Sequence, residues 1–346
     1  MRFKQKVSLY NLIDLQGPAA RSTIQNFFSS LFNFFLGSCY FFLVLHLLIF
    51  LNAGGTVKSF SSLCGGLPAP EAANNPLMYK FSWSPLGVLT ASQNAAQYKE
   101  NNQQINVDGS DLLTSARPTS CFPTLSLEHL PNRDSMPYGE EYGIPEANQI
   151  YRGTLRYAGW SHLMNDFRKV GLTSKDAAQT RTDLPETWGE LMNMIHSESN
   201  GTDSNISEAA QQCLRWLGCY SDTPVTDRSS ILNAFCALLQ IKLALLDGER
   251  DMVLMQHEFG VEYSDERASE IRTSSLLLYG DSNTPQGDTA MAKTVGLTIA
   301  VGAELVLGGA GSGGGIMVPT LPEFYNPGLD LLAKEGLIFN EETRSA

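Results

Sequence analysis

The sequence predicts an α/β protein: an α+β sheet domain with a helical insertion, preceded by a hydrophobic segment long enough to be a transmembrane helix. Three observations predict it. The 346 residues are 43% hydrophobic and 17% charged, a globular composition too apolar for a disordered chain. Hydrophobic periodicity runs from strand to helix, back to strand and again to helix, the order of a sheet domain interrupted by helices. Charge is absent from Ser22 to Val57, and Phe27–Leu51 hold eight Phe and one Tyr in 25 residues.

The elements follow in order. The first 21 residues carry Arg2, Lys4, Lys6 and Arg21 against Asp14, a balance of +3, so the rest of the chain holds −15 of the formal net charge of −12. At about 1.5 Å rise per residue, 27–51 exceeds the roughly 30 Å hydrocarbon core of a bilayer. Basic residues on its N-terminal side fit a signal anchor. A cleaved signal peptide fits less well, because the polar lead-in is long and no small-x-small site follows cleanly. Val57–Leu63 is the first candidate strand. Ser84–Tyr98 has Val88, Ala91, Ala95 and Tyr98 at helical spacing and predicts a helix. Pro118 to Pro145 is turn-rich and extended.

Helices are predicted from Trp160 to Val170 and from Ser207 to Leu217. The clearest is Ser229–Leu246, which opens on Ser, runs an apolar stripe through Ile231, Phe235, Leu238, Leu239 and Leu243, and stops at Gly248. From Arg250 to Tyr263 the period changes to two, so Val253, Met255, His257, Phe259, Val261 and Tyr263 share a face. Ile271–Tyr279 is a second strand, with Ser264–Glu270 as the hairpin loop between them. Ala290–Leu307 returns to helix.

Several function classes are disfavoured. An acidic chain repels phosphate backbones, which argues against general nucleic-acid binding. The six Cys show no C-x-x-C pair and no regular spacing, and the five His form no spaced set. This argues against a metal site and a disulfide scaffold and favours reduced thiols in a cytoplasmic setting. His257, alternating with apolar residues, reads as a packed histidine, and Cys213 and Cys219 as core thiols. Gly309-Ala-Gly-Ser-Gly-Gly314 matches G-x-G-x-x-G in form only. The dinucleotide fingerprint needs a strand before it and a helix after it; here a helix precedes and an extended Ile316–Pro319 follows.

Three clusters carry chemistry. Pro131-Asn-Arg133-Asp-Ser135 is a polar group in a turn. Arg152-Gly-Thr154-Leu155-Arg156-Tyr157 sets two Arg four apart around a Gly. Arginine suits a carboxylate ligand because its planar fork donates two parallel hydrogen bonds. The competing reading is structural ion pairs with acids such as Asp134 or Glu146. Cys64-Gly-Gly66 ends the first candidate strand, where two glycines let backbone come close to a ligand.

These motifs, with Lys58-Ser-Phe60, Cys64-Gly-Gly-Leu-Pro-Ala-Pro-Glu71, Tyr79-Lys-Phe-Ser-Trp-Ser-Pro85, Glu249-Arg-Asp-Met252 and Ala290-Met-Ala-Lys-Thr-Val-Gly296, stand in an order that resembles the L-glutamate-forming saccharopine dehydrogenase family. The resemblance runs from about Asn52 to the C-terminus. It implies an oxidoreductase of lysine metabolism with NAD or NADP as cofactor. Hydride leaves the saccharopine carbon next to the secondary amine, and the imine is hydrolysed to glutamate and aminoadipate semialdehyde. It implies substrate contacts at Arg133, Thr154, Leu155 and Arg156, with Cys64 as a neighbour of the substrate and not a nucleophile. Ser84 and Pro85 would lie near the cofactor. No metal is implied, the ligand is saccharopine or a glutamate-like molecule, and a homodimer is left open.

The resemblance also implies a domain map. Residues 1–51 are a leader unlike the family, and 52–66 the edge of a nucleotide-binding domain. Residues 67–310 are the family's C-terminal domain, with the helical insertion at about 159–247. Residues 311–346 are a tail that rejoins the Rossmann unit in relatives. The Rossmann unit itself, with its phosphate-binding turn and the Lys and Asp of acid–base work, has no counterpart in these 346 residues. The expectation is therefore a truncated form, inactive by itself. The alternative is a membrane-anchored, non-catalytic paralogue acting as a binding or scaffold protein. Its large domain would lie across the membrane from residues 1–21, exposing the sequons at Asn200 and Asn205.

Overall fold

The computed structural model describes residues 55–174, 176–198, 206–311 and 321–346. The candidate transmembrane segment 27–51, the sequon residues Asn200 and Asn205, and Ile316–Pro319 lie outside them. Among the described residues, no helix is long and apolar enough to cross a membrane.

Alternating burial organises the main unit around a long strand, β1 (Gly55–Pro68), which extends the predicted Val57–Leu63 in both directions. On one side it runs parallel to β6 (Gln149–Tyr157), from Ser59 opposite Gln149 to Cys64 opposite Thr154. On the other it is antiparallel to β7 (Asp251–Tyr263). The predicted hairpin is present: β7 returns as β8 (Glu270–Tyr279), with Val261 opposite Glu270. An edge strand, β9 (Asn340–Ser345), pairs with β8. Beyond β6 lie β2 (Ala96–Glu100), β3 (Gln103–Val107), β4 (Arg117–Thr119) and β5 (Leu127–Pro131). Together they make a mixed sheet of nine strands among the described residues.

The helix expected over Ser84–Tyr98 is shorter. Helix α1 (Pro85–Ala91) ends seven residues before Tyr98, and Ala96–Glu100 is a strand instead. Asn101 and Asn102 both take left-handed conformations, φ 51° and 60°. That is the geometry of a two-residue hairpin turn, and it pairs β2 with β3. Tyr98 then meets Tyr151 edge to face at 5.0 Å. Between β5 and β6 lies a single helical turn, α2 (Tyr138–Glu141).

The helical insertion holds α3 (Trp160–Lys169), α4 (Trp188–Glu198), α5 (Glu208–Leu217) and α6 (Ile231–Lys242). Helix α4 has no counterpart among the predicted elements. Helix α6 begins one residue after Ser230, whose Oγ accepts a hydrogen bond from Asn233 N at 3.1 Å, a side-chain cap. It stops before Leu246 because the Leu243 carbonyl turns away to accept Phe81 N at 2.8 Å. Phe235 anchors the layer against Phe167 at 5.5 Å and Trp188 at 6.2 Å. Cys213 is buried here, and burial pushes its thiol up to about 12. A thiol held protonated in this way is an inert core residue.

Asp166 fastens α3 to the start of α5. Its carboxylate accepts Lys169 Nζ at 2.8 Å and Ser207 N at 2.9 Å, although only 1% of the residue is exposed. Burial acts to raise its pKa, and the bonds from Lys169 and Ser207 outweigh that and hold it below the ordinary value of 3.8. A depressed carboxylate contributes stability that is present above its unfolded pKa and lost as pH falls through its folded pKa. We expect Asp166→Asn to be about 1–3 kcal/mol less stable at neutral pH. The gap to wild type should close as pH falls below the ordinary Asp range. Urea denaturation from neutral to acid pH reads this, and a gap constant with pH would contradict it.

Residues 295–311 and 321–336 belong to a second compact unit. Its described helices, α7 (Leu297–Leu307) and α8 (Pro322–Lys334), pack on each other. The predicted Ala290–Leu307 helix is thus seen as a π turn at Ala292–Gly296 followed by α7.

Candidate substrate site on the β1–β6 pair

In a strand, residues two apart share a face, so Arg152, Thr154 and Arg156 stand on one side of β6. Cys64, directly opposite Thr154 on β1, shares that side, as does Ser62 opposite Arg152. Cys64 and Thr154 are half-buried. Leu155 points to the other side and is fully buried in the core. What Leu155 offers this face is backbone: its carbonyl accepts Arg156 Nη1 at 3.2 Å.

Arg156 is 7% exposed. Its guanidinium lies 4.8 Å above the Trp160 ring and 5.6 Å from the Tyr79 ring. Two aromatic walls fix its plane by cation–π attraction. Its Nε has no acceptor among the described residues. The acid opposite it across β5–β6 is Glu128. That carboxylate is occupied, accepting Gly159 N at 2.9 Å and Ser161 N at 2.7 Å, where it satisfies the free N–H groups opening α3.

Arg133 sits in the turn after β5, exposed, with φ 53°. A non-glycine residue in this region is strained, and its neighbours clamp it. Gln97 N donates to the Arg133 carbonyl at 2.8 Å, and Ser135 N donates to the Gln97 carbonyl at 2.7 Å. Asn132 N donates to the Arg152 carbonyl at 2.9 Å, and Arg152 N donates to Ser135 Oγ at 3.2 Å. The ion pairs that offered a competing reading are absent: no described acid pairs with Arg133, Arg152 or Arg156. Asp134 instead accepts Met136 N at 2.9 Å.

The structure thus gathers Cys64, Thr154 and Arg156 on one face and ties the Arg133 turn to the backbone of Arg152. The close approach expected at Gly65 and Gly66 meets protein. A Cβ at Gly65 would stand 2.8 Å from Leu155 Cβ, and one at Gly66 2.7 Å from Met291 Sδ. Ser84 is an exposed residue preceding α1, and Pro85 is the buried first residue of that helix. His257 is fully buried, with Nδ1 3.0 Å from Ser62 Oγ and its ring stacked on Phe339 at 5.9 Å, so its packed reading stands. The Glu249–Met252 and Ala290–Gly296 motifs are fasteners. Buried Asp251 accepts Ala290 N at 2.6 Å and Met291 N at 3.1 Å, and Lys80 Nζ reaches Glu249 at 2.7 Å.

Two groups near the site had no role in the sequence reading, the Tyr79 and Trp160 rings, whereas Arg152 was noted there as the arginine paired with Arg156 and was not among the expected substrate contacts. Period-two alternation places Arg152 on the same face as Thr154 and Arg156. The two rings reach Arg156 through the fold and left no local signal.

The saccharopine dehydrogenase C-terminal domain family matches residues 40–337 of this chain, beginning ahead of Asn52, where the motif resemblance starts. The chain is 40% identical over 310 residues to saccharopine dehydrogenase [NADP(+), L-glutamate-forming] of Schizosaccharomyces pombe, covering 84% of this chain and 68% of that enzyme. It is 39% identical over 306 residues to the mitochondrial alpha-aminoadipic semialdehyde synthase of Bos taurus, covering 84% of this chain and 33% of the bovine protein. Its fold is similar to that of apo, histidine-tagged saccharopine dehydrogenase (L-Glu forming) from Saccharomyces cerevisiae. There the TM-score is 0.80 at 36% identity, over 89% of this chain and 72% of the yeast chain. Motif order, strand register and these likenesses agree, and the chain belongs to the saccharopine dehydrogenase family, carrying its C-terminal domain over most of its length.

Proposed function

We propose that this chain provides the saccharopine-binding side of a nicotinamide-dependent saccharopine dehydrogenase of lysine metabolism, and that by itself it transfers no hydride. The observation that supports the reading is Arg156, buried on the Cys64–Thr154 face with no described acid partner, together with Arg133, exposed and without a described acid partner in the turn whose backbone is tied to Arg152. Saccharopine has three carboxylates, and each forked arginine contact both binds one and orients it. Water is kept from Arg156 by Trp160 and Tyr79, which strengthens the pairing. Thr154 offers a hydroxyl beside Cys64 at the centre of the face.

The cofactor's chemistry is to accept the hydride, and relatives of this chain are named for NADP. The described glycines after Leu307 do not fit a phosphate-binding turn. Gly308 caps the C-terminus of α7, and Gly309 and Gly311 follow with φ 99° and 74°. These glycines close a helix, whereas a phosphate-binding turn opens one.

Calorimetric titration of saccharopine into the protein tests the reading. Saturable binding that is lost in an Arg133→Ala, Arg156→Met double variant is expected. Equal heats from both proteins would sink it. The uncharged, Phe-rich 27–51 favours a second reading, a membrane-anchored non-catalytic paralogue. Recovery only in the membrane fraction, with glycans on Asn200 and Asn205, would support that one.

A further inference from the structure

We infer that Arg152 is a third carboxylate receptor of this face, one that makes the site selective for a substrate with three acids; the inference rests on the saccharopine reading above. Arg152 is 7% exposed. A guanidinium carries five N–H donors, and none of those on Arg152 has an acceptor among the described residues. Its described partner is the Tyr138 ring, 4.2 Å from the guanidinium carbon. A ring satisfies the flat face of the cation and leaves the donors on its edge unused. A buried guanidinium without an acceptor is unfavourable, so the missing acceptor is the informative feature. The nitrogens are not among the sealed polar atoms, unlike Arg156 Nε, and a carboxylate can reach them.

Placement points to the same ligand as the other arginines. Arg152 and Arg156 bracket Thr154 on one face, their Cα atoms about 13 Å apart at strand rise. That span suits a long, extended substrate better than a compact amino acid. The backbone of Arg152 bonds to both Asn132 and Ser135, so it is fixed to the Arg133 turn. Laterally, Ser62 Oγ lies 3.0 Å from His257 Nδ1 and makes no described bond to the guanidinium. The alternative is a purely structural role, with Arg152 as the anchor for Tyr138.

The test titrates saccharopine, and three analogues each with one carboxylate converted to an amide, into wild type, Arg152→Met and Arg152→Lys. Arg152→Met should weaken saccharopine binding by about 10–150-fold. It should leave unchanged the affinity for the one analogue whose amide faces position 152, a coupling that a structural role would not produce. Arg152→Lys keeps a cation over Tyr138 and loses the fork. It should show an intermediate loss, and it decides the matter if the methionine variant fails to fold. Both variants binding all four ligands within about threefold of wild type, or weakening all four equally, would overturn the inference. If wild type itself binds none of them, the substrate reading fails and this inference with it.

Discussion

Replacing Arg156 by methionine should weaken saccharopine binding by about 10–150-fold, the equivalent of about 1.5–3 kcal/mol for charge-assisted hydrogen bonds. The fold should barely register the change. Methionine keeps an unbranched stem between Trp160 and Tyr79, and its thioether packs well against aromatic rings. Removing a buried cation with no acid partner also relieves a desolvation cost. Loss of affinity with a thermal midpoint close to wild type is therefore the signature. Arg156→Lys separates charge from geometry: the cation stays and the planar fork does not, so its affinity should fall between the two. Saccharopine binding by Arg156→Met within about threefold of wild type would remove Arg156 from the site.

Much of this arrangement was legible in the sequence, for identifiable reasons. Helix α6 has an explicit Ser cap and an apolar stripe, and the β7–β8 hairpin has long period-two runs, so both were read from local pattern. Strand β2 was not, because Ala91, Ala95 and Tyr98 fit a helical period while the deciding signal sat just beyond them, in Asn101 and Asn102. Strand β9 is six exposed residues, Asn340–Ser345, with no alternation to read; it is a strand only because β8 offers it an edge. At the site, Arg133, Arg152 and Arg156 stood out by residue type. The question of their partners was non-local. Glu128 faces Arg156 across the sheet and is diverted to the start of α3, while Asp134 is diverted to Met136. Neither fact follows from spacing. The pairing of β1 with β6 joins Cys64 to Thr154 across a long crossover, and only that register puts Cys64 on the face of Arg152, Thr154 and Arg156.

The nicotinamide must be held against the substrate carbon in near-attack geometry, and a phosphate-binding turn leading into a helix normally does that holding. In this chain the described glycines after Leu307 end a helix. Recognition of saccharopine and oxidation of saccharopine should therefore separate in this protein. The measurement that bears on this most directly is the appearance of reduced nicotinamide when the purified chain is mixed with saccharopine and either NAD or NADP. The account predicts no turnover above the protein-free background with either cofactor. Sustained turnover at about 1 s⁻¹ or more, within the ordinary range of enzymes, would contradict it and show that the chain holds a dinucleotide by other means.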